Sequence, residues 1–264
     1  MRRRAPAVLA VLVSKRKLRL GGGMLASRSG HPGAIRNVAF GIFLWAGFVA
    51  LPAAQSAEPP RLDGVWKIAR PTTELTPISG SLPFSAEGRK QYANNRKLRA
   101  QRKYVDYDIT RSSCSTPGVP RLMLTPLRFR IWNQLGVVTI DYEWNRAIRQ
   151  IDLRGGKPQP LVVPDMAGTS VGHWEGDTLV AVTSDFTGRA LWDDLMPQSI
   201  GAKVTERLRL VDSNTLEDRI TAEDPDYFTR PWETVVTYKR QPDALFPEDV
   251  CLDRIRAGQP ALPD

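Results

Sequence analysis

Alternation with a period of two restricts the fold of this chain more than any other feature. Between residues 62 and 240, apolar and polar side chains trade places along one short run after another, and glycine, proline or Asx residues stop each run. Such runs are half-buried strands. LDGVWKIA (62–69) ends before Pro71, and LRFRIWN (127–133) turns at Gln134-Leu135-Gly136 into VVTIDYEW (137–144). Asn145-Arg146 turns that run into AIRQIDL (147–153), which stops at Arg154-Gly155-Gly156. SVGHW (170–174) passes through a Glu175-Gly176-Asp177 turn into TLVAVTSDF (178–186). KVTERLRL (203–210), TLEDRITAE (215–223) and WETVVTYKR (232–240) complete the set. About nine strands joined by tight turns predict a mainly β fold, an antiparallel barrel or sandwich.

One stretch breaks the pattern. SAEGRKQYANNRKLRAQRKY (85–104) has Ser85 placed as an N-cap and few strand formers, so it predicts a helix. It carries seven basic residues against Glu87. Two readings stand side by side: a solvated helix packing Tyr92 and Leu98 on the sheet, or a patch for an anionic partner such as lipid head groups. The apolar face is too thin to insert into a membrane.

Ahead of the strands, residues 37–57 (NVAFGIFLWAGFVALPAAQSA) follow Arg36 with a short apolar core and then small residues. This is the layout of a secretory signal peptide, cleaved near Ser56 or Ala57. Gly21-Gly22-Gly23 directly before Met24 reads as a translated ribosome-binding site, which places the true start at Met24 and residues 1–23 upstream of it. The predicted organisation is a leader over 1–57 and a single domain over 58–264 with a short C-terminal tail, in the periplasm or secreted, with no stable membrane span after processing. The formal net charge is +9, yet residues 1–57 hold nine Lys or Arg and no acid. The remainder balances at twenty-eight basic and twenty-eight acidic residues, so nothing argues for a nucleic-acid partner. Cys114 and Cys251 both follow the leader, in no CxxC and beside no histidine. In an oxidising compartment they predict one disulfide.

Asp63-Gly64-Val65-Trp66 resembles the GxW opening of lipocalins and their calycin relatives, in which the tryptophan closes one end of a barrel. A longer set of residues resembles a group of exported bacterial proteins with a lipocalin-like barrel. It comprises Cys114-x-x-Pro117-Gly118-x-Pro120-Arg121, Trp174-Glu175-Gly176-Asp177-Thr178-Leu179-Val180, Thr205-Glu206-Arg207, Glu223-Asp224-Pro225 and Cys251. The resemblance spans residues 61–253 and implies an antiparallel lipocalin-like β-barrel with one N-terminal-side helix, and an exported address. It also implies an arginine held against the opening tryptophan. Two positions depart from the group: His173, and Gln198 where many members have histidine.

Polar residues that share a face with apolar ones are the candidates for chemistry. Glu206 is in phase with Val204, Leu208 and Leu210, and Asp185 with Leu179, Ala181 and Thr183. A carboxylate in such a row needs a cationic partner or must be held neutral. Arg128, Arg130 and Arg149 are the available cations. Val138, Ile140, Tyr142 and Trp144 form an aromatic-rich face predicted to point inward. The leading expectation is a barrel that binds a small, largely apolar molecule, with Trp66, Trp132, Tyr142, Trp144, Trp232 and Arg130 at its wall or mouth. The alternative is a cofactor-independent lyase, isomerase or hydratase. In it Glu206 or Asp185 moves protons with help from Tyr142 or His173, and Arg149 steadies negative charge. A third reading is a protein-interaction module of the cell envelope. His173-x-Glu175 offers two metal ligands and no second histidine follows the leader, so no metal is predicted. Without GxSxG, a phosphate loop or CxxCH, no cofactor is predicted either.

Overall fold

Short strands with one apolar face leave both a hydrophobic surface and two sheet edges to hide, and closing the sheet on itself hides both. The computed structural model describes residues 61–156 and 165–263, and the predicted leader lies outside the described residues. Within them a closed barrel runs in chain order: β1 (Gly64–Ile68), β2 (Arg128–Gln134), β3 (Val137–Tyr142), β4 (Ile148–Asp152), β5 (Thr169–Glu175), β6 (Thr178–Ser184), β7 (Lys203–Asp212), β8 (Thr215–Glu223) and β9 (Trp232–Arg240). β9 returns to pair with β1. The expected fold class therefore holds, with one exception: β4 and β5 are parallel. Two parallel neighbours need a crossover rather than a hairpin.

The turns form where the sequence placed them. Gly176, at φ +60°, and Asp177 close the β5–β6 hairpin between Glu175 and Thr178. Asn145 and Arg146 both adopt left-handed backbone (φ +48° and +49°), so the chain reverses directly after β3, and the Tyr142 N–H donates to the Ala147 carbonyl at 2.9 Å. The helix α1 (Ala86–Ala100) has the expected cap, with Ser85 Oγ accepting from the Gly88 N–H at 3.0 Å. It ends before residue 104, because Arg102 turns left-handed at φ +55°. Two further helices were not expected: α2 (Ile109–Ser113) and α3 (Cys251–Arg256).

The barrel has two unlike ends. The β2–β3, β5–β6 and β7–β8 hairpins gather at one, together with the start of β1. The other is roofed by the chain between β1 and β2 and by residues 185–202 and 224–231. Trp66 seals the hairpin end. It is fully buried, its indole Nε1–H donates to the Leu62 carbonyl at 2.9 Å, and the Arg240 guanidinium lies 4.2 Å over its ring. This is the arginine on the opening tryptophan that the resemblance implies.

Part of the longer pattern, Gly118, Arg121 and Asp224 among it, builds the roof. Arg121, 2% exposed, grips the Asp108 carboxylate with both terminal nitrogens (3.0 and 2.6 Å), and reaches Asp194 through Nε (3.1 Å) and Nη2 (2.8 Å). Asp224 accepts from the Ser199 N–H (2.9 Å) and Ser199 Oγ (2.8 Å). Gln198 donates to the Val119 carbonyl at 3.0 Å, so at this departure from the pattern the amide has a structural partner. Gly118 sits at φ +82°, where a side chain would also strike the Met166 carbonyl. Cys114 and Cys251 are joined, tying α3 to the end of α2.

Candidate functional site

Period two places the even-numbered residues of β7, β8 and β9 on the inner face, where register aligns Glu206 with Ile220 and Thr234, and Leu208 with Asp218 and Val236. The inner positions of β3, β4, β5 and β6 add Tyr142, Arg149, Ser170 and Thr183. A charged pair therefore sits in the middle of the barrel. Arg149 faces Glu206 with two nitrogens, Nη1 at 3.0 Å from Oε1 and Nη2 in a still shorter contact with Oε2. Its Nε–H donates to Ser170 Oγ (3.0 Å) and Nη2 to Thr183 Oγ1 (2.8 Å), and the two hydroxyls meet at 2.9 Å. Arg149 is 4% exposed and Glu206 has no exposed surface. Burial opposes the guanidinium charge, but Glu206 outweighs it and keeps Arg149 firmly protonated.

Beside this satisfied pair stand groups that are not satisfied. Asp218 is fully buried, and neither carboxyl oxygen has a hydrogen-bond partner among the described residues. The hydroxyls of Tyr142 and Tyr238 are likewise buried and unpartnered. Phe129 contacts both tyrosine rings, 6.1 Å from Tyr142 and 4.9 Å edge-on to Tyr238. Burial, reinforced by the Glu206 charge, pushes the Asp218 carboxyl well above the usual carboxylate range. Burial also raises both phenols, although Arg149 pulls against it. Three donors, an acid held toward its neutral form and two phenols, thus surround a neutralised ion pair in a low-dielectric interior.

The predicted residues separate into those brought together and those not. Tyr142, Arg149 and Glu206 meet inside the barrel, and Arg149, of the three arginines considered, is the one that pairs Glu206. Asp185 does not join them. β6 ends at Ser184, and Asp185 takes a left-handed φ of +61° that breaks the alternation and leaves it exposed. His173 pairs across to Val180 on the outer face, where its Nε2 lies 3.0 Å from Glu175, itself bound by Arg207. An acid–base role needs a carboxylate free to meet substrate, and Glu206 commits both oxygens to Arg149.

The aromatic candidates are scattered. Trp66 seals the hairpin end, and Trp232 lies inside at the roofed end, in edge contact with Phe228 at 5.5 Å. Trp144 follows β3 under the C-terminal segment, its Nε1–H donating to the Ala261 carbonyl at 3.3 Å. Arg130 and Trp132 stand on the outer face, not the inner wall, because Phe129 and Ile131 take the inward phase of β2. There Arg130 stacks on Trp132 (4.3 Å) and Phe246 (4.9 Å) and pairs with Asp141 at 3.0 Å. Asp218 and Tyr238 were missed. The signal was present: Asp218 is in phase with Leu216 and Ile220 on TLEDRITAE, and Tyr238 with Trp232 and Val236 on WETVVTYKR.

No family model matches the chain, nor does any curated protein. Among solved structures it is similar to a secretory abundant heat soluble protein from Ramazzottius varieornatus, at 9% identity and a TM-score of 0.35, over 68% of this chain and 95% of that one. It is also similar to two variants of the fluorescent protein UnaG. One is at 15% identity and a TM-score of 0.32, over 69% of this chain and 97% of that one. The other is at 16% and 0.30, over 68% and 95%. Similarity at this level says nothing of function.

Proposed function

We propose that the barrel binds a small, largely apolar molecule carrying a hydrogen-bond acceptor such as a carbonyl oxygen, and that the protein does so after export. One observation carries this reading: Asp218, Tyr142 and Tyr238 keep buried polar atoms without partners, while the adjoining Arg149, Glu206, Ser170 and Thr183 are bonded to one another. Each such atom costs about 1–3 kcal/mol if nothing meets it, so the fold alone favours leucine and phenylalanine at these places. Buried donors without partners suit an acceptor. With Arg149 and Glu206 already cancelling, a ligand group carrying net charge would be expensive to bury there. The side chains leave no exposed surface on Glu206, Asp218 or Tyr238, so the ligand enters by parting them.

Export is supported by the Cys114–Cys251 disulfide and the leader-like residues 1–57. No helix among the described residues is long and apolar enough to cross a membrane. The reading is tested by offering the small-molecule extract of the producing cell to the parent protein and to an Asp218→Leu/Tyr238→Phe variant, followed by gel filtration and mass spectrometry. A carbonyl-bearing apolar compound retained on the parent at least about tenfold over the variant is expected. Equal retention on both, or none on either, overturns it.

A further inference from the structure

The β1–β9 seam that closes the barrel is short. β1 pairs with β9 only through Trp66–Ile68. The chain then leaves at Pro71 and returns to β9 at Ile78. Two backbone bonds frame the opening: Ala69 N–H to the Thr237 carbonyl and Ile78 N–H to the Glu233 carbonyl, both 2.8 Å. Successive residues of an antiparallel strand aim their backbone groups at opposite sides. Val235, midway between Thr237 and Glu233, therefore points its N–H and C=O into the gap.

The opening forms a cleft of about 620 Å³, lined by Leu75, Val235, Arg70 and Lys239, and also by Thr234 and Val236. The last two belong to the inner face of β9, and Val236 pairs directly with Asp218. Thr234 is 4% exposed. The rim has a charge preference. Glu74 is engaged by Arg99 (3.5 Å) and by the Tyr92 hydroxyl (3.3 Å), whereas Arg70 is exposed and makes no ion pair among the described residues.

We propose that this gap between β1 and β9 is a binding site for an apolar molecule with an anionic end. The anion rests on Arg70, and the apolar body lies over Leu75, Val235 and Val236 toward Asp218. Only the inner end of this placement rests on the ligand-binding reading above. An anion held at the rim stays hydrated and avoids the cost of entering the barrel.

The test uses the full chain with dodecanoate and, as an uncharged control, dodecanol, by calorimetry and by amide chemical shifts. Dodecanoate is expected to bind and to move the Thr234 and Val236 amides. Arg70→Glu, a change at an exposed site, should weaken it at least about tenfold while leaving dodecanol unchanged. Failure of dodecanoate to bind, or equal binding by Arg70→Glu, overturns the site. Asp218→Leu separates the two readings. If it spares dodecanoate while Arg70→Glu does not, the gap stands without the interior site. If only Asp218→Leu weakens binding, the gap falls and the interior site stands.

Discussion

Glu206 was recognisable from phase alone, since a carboxylate in a row of valine and leucine has to be matched by something. Which arginine matches it was not recognisable, because Arg149 reaches it across the barrel from β4, and strand register cannot be read from a single run. The pair makes a sharp prediction. Glu206→Leu leaves a buried guanidinium uncompensated and should cost about 3–5 kcal/mol in urea unfolding, whereas Arg149→Met/Glu206→Leu should recover most of that loss. Equal losses in both variants would mean that the pair does not act as a unit. Asp185 illustrates the opposite case. Its phase was read correctly, but one left-handed residue at the end of β6 moved it outside.

Strands and hairpins were the most legible elements, because alternation and turn residues are local signals. The parallel β4–β5 pairing was not, since it depends on where a long connection returns. The roof was not legible either, although Gly118, Arg121 and Asp224 belong to the longer pattern. Proline, glycine, arginine and aspartate there serve the Arg121 ion cluster and the Asp224 cap. Their meaning appears only when residues far apart in the chain meet. The disulfide belongs to this scale. It closes a loop with a sequence separation of 137, for which chain entropy gives an upper figure of about 5 kcal/mol. Cys114→Ser/Cys251→Ser should therefore unfold at lower denaturant and release residues 241–263 to protease first. Unchanged stability would show that the tail is held by its hydrogen bonds alone.

For the molecule as a whole, buried carboxyls of opposite tendency set the response to pH. Burial lifts Asp193 from 3.8 to about 6, against three backbone N–H donors from Leu75, Leu195 and Met196, and it also lifts Asp218 well above the usual carboxylate range. A folded pKa above the unfolded one means stability that is complete below about 4 and lost as pH rises, for Asp193 across the window from 3.8 to about 6. Asp194 has the reverse sign. Burial would raise it, but Arg121 and Arg111 hold it below 3.8, so its contribution is lost as pH falls through that lower value. Stability should thus rise on going from pH 7 toward 4 and drop in stronger acid, with the rise flattened in Asp193→Asn. Urea midpoints that climb steadily from pH 4 to 7 would contradict this.

If the polar groups in the barrel serve a ligand rather than the fold, as proposed, Asp218→Leu should show it in the protein alone. In ligand-free protein, urea unfolding should show this variant more stable than the parent by about 1–3 kcal/mol, because a buried carboxyl without partners is replaced by a side chain that suits the interior. A loss of comparable size would show that Asp218 holds the barrel together, and would remove the reason for placing a ligand beside it.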